Sequence, residues 1–257
     1  MTDDAPRDGG VALCMPVLDD RDGIAGVLPR LARVLAGTPH TVAVVDGGSR
    51  DGTREWLAEW IGAHPECHLL DRPKTRPGCL RGDATRFGLR WLLDHGSHDV
   101  FVDIDADGAQ PPEEIPGALA YLAAHPGCDV VVASKYAQGS VVTGRPWSRR
   151  VGSRVYSRVL RAGLGGSLRD YSNSYRFYRR AAAAMVARAP TRHDTPVFLA
   201  EMLATWLGAG LRIDEVPTRY EERDGGVSKV GLRDALRGFM GAVEVIVGAR
   251  RGRYRPT

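Results

Sequence analysis

The segment Val100 to Glu114, VFVDIDADGAQPPEE, constrains this chain more than any other. It opens with an apolar run of the kind that forms a buried strand, then carries acids at Asp103, Asp105 and Asp107. Side chains of an extended chain alternate between faces with a period of two, so this spacing sets three carboxylates on one side as the strand ends. Crowded carboxylates repel one another unless a cation sits among them. Hard cations such as Mg²⁺ or Mn²⁺ take oxygen ligands and often carry a phosphate as well. Gly108 permits a sharp turn, and Pro111-Pro112 followed by Glu113-Glu114 starts a helix. The expectation is a metal site at a strand end that holds a diphosphate.

The same residues fit a second pattern. Asp103 to Glu114 matches the calcium-loop spacing D-x-D-x-D-G-x5-E. A calcium hand needs a helix before the loop, however, and HDVFVDI is β-like. Pro111 and Pro112 also fall inside the loop, and Gln110 takes a place usually held by an apolar residue.

A chain of 257 residues can bury one large core or two small ones, and 43% hydrophobic with 26% charged residues is the balance of a soluble globular protein. The net charge of +4 is mild, and the basic residues are nearly all arginine, which suits phosphate and carboxylate. No lysine-rich block or aromatic-basic interleaving points to nucleic acid. Cys14, Cys67, Cys79 and Cys128 form no C-x-x-C pair and read as reduced thiols of a cytosolic protein. The histidines form no H-E-x-x-H motif, which argues against zinc. The leader MTDDAPRDGG is acidic rather than signal-like, residues 1–10 read as disordered, and no apolar run is long enough to span a bilayer.

Taken in order, VALCMPVL (11–18) and TVAVVD (41–46) read as buried strands, each followed by acids and then a helix. HLLD (68–71) is a third strand, and an Arg-, Pro- and Gly-rich loop (72–82) precedes a helix from about 84 to 93. A helix near 113–124 and the strand DVVVAS (129–134) follow the acidic segment. Beyond Tyr136 come a helix from 148 to 160, the strand SYRFYRR (174–180), helices near 181–188 and 197–208, and the strand LRIDEVPTRYEER (211–223). The last helix, roughly 231–249, carries an apolar stripe at Leu232, Leu236, Phe239, Met240, Val243, Ile246 and Val247. Strands alternating with helices predict an open, mostly parallel α/β sheet whose ligands bind at strand carboxyl ends. Asp20, Asp46, Asp105 and Asp107 fall at or just beyond such ends.

Seven pieces then carry a resemblance: MPVLDDRDGI, VVDGGSRDGT, DIDADGAQPPEEI, SKYAQGS, RDYSNSYRFYRR, EML and EVPTRYEERDGGVSK. Their set and order resemble glycosyltransferase family 2, with the GT-A fold, and most closely its dolichol-phosphate mannose synthase-like branch. The resemblance covers about residues 11–229. It implies a Rossmann-like GT-A domain over 11–230, with a nucleotide-sugar-binding part (11–136) and a C-terminal acceptor-side α/β part (137–230). Residues 231–257 form an amphipathic helix and basic tail.

The resemblance also implies roles. Pro16, Asp20, Asp46, Gly48 and Ser49 fall in the nucleotide-binding segments, with Asp20 and Asp46 on the base and ribose. Asp105 and Asp107 form the D-x-D pair that holds Mg²⁺ or Mn²⁺, with Asp105 shared between metal and ribose, and Gln110 stands near a third metal-side position. Arg176, Arg223 and Lys229 match cations that neutralise the donor diphosphate. Lys135, Arg149, Ser153 and Asp170 fall near the acceptor, with Asp170 equally able to be a buried structural partner. The chain departs from the family pattern at Gly47, where a second acid is usual, at Ala109, where Gln is usual, and at Ser174, where Gly is usual.

The implied reaction is inverting transfer of a sugar from a UDP- or GDP-sugar to a phosphate-bearing acceptor, a polyprenyl phosphate. Hydroxyl acceptors need a general base, which many family members supply from an E-D pair. Here Met202 follows Glu201, which favours an acceptor that is already an anion, although Glu201 or Asp170 remains available as a base. A soluble acceptor of secondary metabolism is the alternative, and a nucleotide-binding protein without turnover is another. The expected location is cytoplasmic, with peripheral contact at the inner face of the membrane through the last helix and the tail ARRGRYR.

Overall fold

The computed structural model describes residues 10–72, 80–189, 192–222 and 232–255. Residues 1–9 of the leader, Cys79, Arg223 and the whole GGVSK segment with Lys229 therefore lie outside the described residues. The first half alternates strictly: β1 (Val11–Val17), α1 (Arg21–Val34), β2 (His40–Asp46), α2 (Thr53–Ala63), β3 (Cys67–Asp71), α3 (Arg81–Asp94) and β4 (Val100–Asp103). A 3₁₀ turn at Pro112–Glu114 leads into α4 (Ile115–Ala124) and β5 (Val130–Ser134). Then come β6 (Val141–Thr143), α5 (Trp147–Leu164), β7 (Arg176–Arg179), α6 (Arg180–Arg188), α7 (Phe198–Gly208), β8 (Ile213–Pro217), β9 (Arg219–Glu221) and α8 (Leu232–Arg250).

Seven strands form one sheet in the order β3-β2-β1-β4-β7-β5-β8. All pairings are parallel except those of β7, which runs antiparallel between β4 and β5. The sheet therefore interleaves strands from both halves of the sequence.

The unbroken apolar runs of β1, β2 and β5 reflect burial on both faces. Ala12, Cys14, Ala43, Val45 and Phe101 face a core shared with α3, α6 and α7. Their neighbours Leu13, Met15, Val42, Val44 and Val102 face a second core, with Ile24, Leu57 and Leu122 from the helices on that side. Each fully buried side chain of this size contributes roughly 1.5–3 kcal/mol.

Two features depart from the sequence reading. The stretch 211–223 is not one strand. Pro217 ends β8, and β9 leaves the main sheet to pair in parallel with β6, a strand the Gly- and Ser-rich composition there concealed. The junction is pinned by Glu114, whose carboxylate accepts from Thr218 Oγ1 at 2.6 Å and Arg219 N at 2.7 Å. That commitment, with β4 rather than a helix before the acids, also removes Glu114 from any calcium loop.

Candidate active site

The loops after β1 and β2 interlock. Gly47 N donates to Val17 O, Asp19 N to Ser49 Oγ, and Arg21 N to Asp51 Oδ2, all within 3.0 Å. Asp46 is fully buried at the end of β2. Its carboxylate accepts from Gly48 N (3.1 Å), Ser49 N (3.1 Å) and Arg54 Nη1 (2.7 Å). Gly48, at φ +90°, supplies the left-handed conformation this turn requires. Asp46 is thus the internal brace of the Asp46–Ser49 turn.

Asp20 caps α1, accepting from Gly23 N at 3.2 Å. An N-cap acid satisfies one of the amides that a helix start leaves unpaired. Pro16 lies beyond the Cys14–Asp103 end of the β4 pairing, alongside β2 alone.

The acidic turn is organised by an arginine. Arg81, the first residue of α3, donates from Nε (2.9 Å) and Nη2 (2.7 Å) to Asp105 Oδ1, and from Nη2 to Asp103 Oδ1 (3.1 Å). The other Asp105 oxygen accepts from Gln110 Nε2 (2.9 Å) and Ser174 Oγ (2.6 Å). Gln110 also accepts from Asp105 N at 2.8 Å and donates to Ser174 Oγ at 2.6 Å, so its amide is spent on Asp105 and Ser174. Gln110 accordingly orients the first acid of the D-x-D pair from a position almost fully buried, which corrects its reading as a metal-side ligand. Asp107 is exposed at the tip, where its Oδ1 accepts from Ala109 N at 2.9 Å across Gly108, at φ +79°.

Burial pushes the Asp103 carboxyl up despite the nearby guanidinium of Arg81. Burial acts the same way on Asp105, but Arg81 and the Ser174 hydroxyl outweigh it and hold Asp105 below the usual carboxylate range. Burial alone would lower Arg81, yet Asp103 and Asp105 keep it above the ordinary arginine range.

Arg176 is placed differently from the sequence expectation. It is fully buried, and its guanidinium donates to Asn173 O (2.9 Å), Leu199 O (2.9 Å) and Tyr171 O (3.5 Å) while lying over Trp206. Burial lowers it to about 10. It clamps main-chain carbonyls beneath the site and presents no face to a diphosphate.

Lys135, Asp170 and Ser153 come together through Ser172, and Arg149 stands one turn before Ser153 on α5. Lys135 Nζ lies 3.2 Å from Asp170 Oδ2, and Asp170 also accepts from Lys135 N (3.0 Å), Ser172 N (2.9 Å) and Asn173 N (3.1 Å). Both side chains are buried. Burial draws Lys135 below the lysine range, and Lys135 with the Ser172 bonds draws Asp170 below the carboxylate range against its own burial. Ser153 Oγ meets Ser172 Oγ at 2.7 Å, and Arg149 pairs with Glu222. Glu201 is fully buried too, accepting from Arg192 N, His193 N and Tyr254 Oη. Glu201 and Asp170 both serve as structural anchors, which removes them as ready general bases.

Sequence reasoning missed Arg81, Arg145 and Tyr220. The Tyr220 ring lies under Lys135 Nζ at 5.2 Å and the Arg145 guanidinium at 5.4 Å, and burial together with Asp107 and Asp105 raises its hydroxyl well above the tyrosine range while Arg145 opposes them. One signal was available for Arg81: a cation at a helix start opposes the helix dipole unless acids face it. Ser174, where the family pattern has Gly, ties the segment before β7 to Asp105.

Among the described residues no three His, Cys, Asp or Glu side chains converge to cage a metal alone. The donor set still fits Mg²⁺ or Mn²⁺, which are commonly held by one or two carboxylates and complete their shells with substrate phosphates and water. An acid-bearing strand end in a mostly parallel sheet, with one antiparallel strand inserted beside it, defines an α/β glycosyltransferase of the GT-A class. The glycosyl transferase family 2 model matches residues 12–185, and the chain belongs to that family.

Among its curated relatives, a polyprenol monophosphomannose synthase from Mycolicibacterium smegmatis is 31% identical, covering 86% of this chain and 82% of that protein. An undecaprenyl-phosphate mannosyltransferase from Micrococcus luteus is 33% identical over 78% of this chain and 80% of its own. Among solved structures, glucosyl-3-phosphoglycerate synthase from Mycobacterium tuberculosis, in complex with Mn²⁺, UDP-glucose and phosphoglyceric acid, superposes with a TM-score of 0.69 at 20% identity. That match covers 94% of this chain and 80% of the other. It shares the fold.

Proposed function

We propose that this glycosyltransferase moves a sugar, with inversion, from a nucleoside-diphosphate sugar to a polyprenyl phosphate. The observation that carries the acceptor reading is the gathering of Lys135, Arg145 and Arg149 around Tyr220 and Glu222, with the one neighbouring carboxylate of Asp170 already spent on structure. A phosphate monoester is ionised at neutral pH, so its oxygen can attack the anomeric carbon without a base. The bond from that carbon to the donor's diphosphate breaks, and the nucleoside diphosphate leaves with the electron pair.

On the donor side, the braced Asp46–Ser49 turn and the Asp20 cap give base and ribose a rigid floor, which is where preorganisation acts. Asp105 and Asp107 would hold Mg²⁺ or Mn²⁺, which stabilises negative charge on the leaving diphosphate when bound. Arg223 and Lys229, by family likeness, serve the same charge. The lipid reading is supported by an exposed apolar surface on α5 and α8. Trp147, Val151 and Val155 line one, and Leu236, Met240, Val243 and Val247 the other. Among the described residues no helix is long and apolar enough to cross a membrane.

The test is transfer from UDP- and GDP-sugars to a polyprenyl phosphate, with thermal shifts by UDP, GDP, CDP and TDP with and without Mn²⁺. Asp107→Asn should fold normally, lose the metal-dependent shift and lose turnover. Retained turnover in that variant would remove the metal role, and absence of transfer to any prenyl phosphate would remove the acceptor.

A further inference from the structure

Glu222 is the one acid held by the acceptor-side arginines. Its carboxylate pairs with Arg149 Nη1 through Oε1 and lies 3.4 Å from Arg145 Nη1 through Oε2. The arrangement is incomplete. Glu222 Oε2, Arg145 Nε and the Tyr136 hydroxyl are all buried without a hydrogen-bond partner. Buried polar groups are normally hydrogen-bonded, so three open ones in one locus mark a place built for a different occupant.

The surroundings favour an anion. Arg145 stands just before α5 and Arg149 in its first turn, and that turn contains no acid of its own. The partial positive charge of an 18-residue helix start and two guanidiniums thus face a single carboxylate. Lys135 reaches the same locus across the Tyr220 ring. The Glu222 main chain is fixed independently of its side chain: its N–H donates to Thr143 O at 3.1 Å, and a Cβ at Gly144, where φ is +67°, would meet Glu222 O at 2.2 Å.

We infer that Glu222 is an internal stand-in for the acceptor's phosphate, and that the acceptor binds by displacing its carboxylate from Arg145 and Arg149. This rests on the proposed phosphate-bearing acceptor. A carboxylate offers two oxygens in one plane. A phosphate monoester offers three, enough to serve Arg149, Arg145 and the Tyr136 hydroxyl. Glu222 thereby sets acceptor affinity, because every binding event must first break its two ion pairs. Between acceptors it favours dianions over carboxylates, which would gain nothing by the exchange.

The test is calorimetric titration of wild type, Glu222→Gln, Glu222→Ala and Arg145→Gln with inorganic phosphate and with a ten-carbon prenyl phosphate. Both Glu222 variants should bind each probe about tenfold tighter, and Arg145→Gln at least tenfold weaker. In steady state the acceptor KM should fall in Glu222→Gln while the donor KM stays. Tightening for inorganic phosphate shows that the headgroup chemistry suffices. Tightening for the prenyl compound alone assigns the gain to the chain and overturns the exchange. Unchanged or weaker binding of both probes to either folded Glu222 variant also overturns it. If Glu222→Gln tightens phosphate but wild type transfers no sugar to prenyl phosphate, the anion site stands and the polyprenyl acceptor falls.

Discussion

Arg81 and Asp105 are joined at two points, with Nε at 2.9 Å and Nη2 at 2.7 Å from one carboxylate oxygen, and the same Nη2 reaches Asp103 at 3.1 Å. One guanidinium therefore neutralises two carboxylates that would otherwise face each other, one of them fully buried. Removing one partner of a buried pair strands the other, at about 3–5 kcal/mol. Arg81→Met, which keeps the length of the stem, should lower the urea-denaturation free energy by roughly that amount. Mn²⁺ should restore part of the loss, because a divalent ion supplies the missing charge, and should restore less in wild type. A variant as stable as wild type without Mn²⁺ would show that Arg81 is not the counter-charge.

Arg176 gives the opposite expectation from a diphosphate ligand. Its three described donations all end on main-chain carbonyls. Arg176→Lys cannot reproduce that fork and should cost about 2–4 kcal/mol of stability. Measured on the folded fraction at low temperature, the donor KM should stay within twofold. A donor KM raised tenfold or more, in protein whose circular dichroism is native, would return Arg176 to the donor site.

The contrast between these arginines shows what the sequence made legible. The alternation of β1 to β5 with helices was readable because parallel strands buried on both faces need unbroken apolar runs. Period two reaches only Asp103, because β4 ends there; Asp105 and Asp107 lie in the turn beyond it, held by contacts with Arg81 and Ala109. The family pattern located Arg176 in sequence but not its direction, because a strand residue faces either core or cleft according to register. Here Arg176 sits opposite Asp103, on the face turned into the core. Arg81 and Tyr220 were hidden for another reason. Their roles come from contacts 22 residues away or more, across elements whose packing no local pattern encodes. The split of 211–223 falls at Pro217, which ends β8, whereas the alternating pattern on both sides of it reads as one continuous strand.

The Lys135–Asp170 pair predicts an acid signature. Its carboxyl lies below the unfolded value, so its stabilisation is fully present above the ordinary carboxylate pKa of about 3.9. It is lost as pH falls through the lower, folded value. Asp170→Asn should therefore be most destabilised, by about 3–5 kcal/mol, near neutral pH, where it also leaves the buried Lys135 ammonium without a counter-charge. The gap to wild type should narrow below pH about 4, as wild type itself protonates. A gap that stays constant from pH 7 to the acid limit would mean that the hydrogen bonds of Asp170, not its charge, do the stabilising.

The α5 and α8 surface makes the last prediction. The two helices pack through Tyr156 against Phe239, ring centroids 5.7 Å apart, and turn their other apolar residues outward. Trp147 is 78% exposed and Met240 53%, a large outlay of apolar area for a surface with no purpose. Exposed arginines at 150, 154 and 158 alternate with the apolar positions of α5. We expect such a helix to lie in the headgroup region, where each arginine near an anionic surface adds about 1 kcal/mol. The same helix carries Arg149 and Ser153, so docking it would bring a lipid's phosphate to the acceptor cluster without extracting the chain from the bilayer. Wild type should float with vesicles containing phosphatidylglycerol and sink with neutral ones. Trp147→Ser with Met240→Ser should reduce flotation about tenfold or more, roughly the effect of removing 2 kcal/mol of apolar burial. Turnover on a soluble short-chain prenyl phosphate should be unchanged in the same variant. Wild type that ignores anionic vesicles while still using the short-chain substrate would mean that the acceptor is delivered in solution and that this face serves another contact.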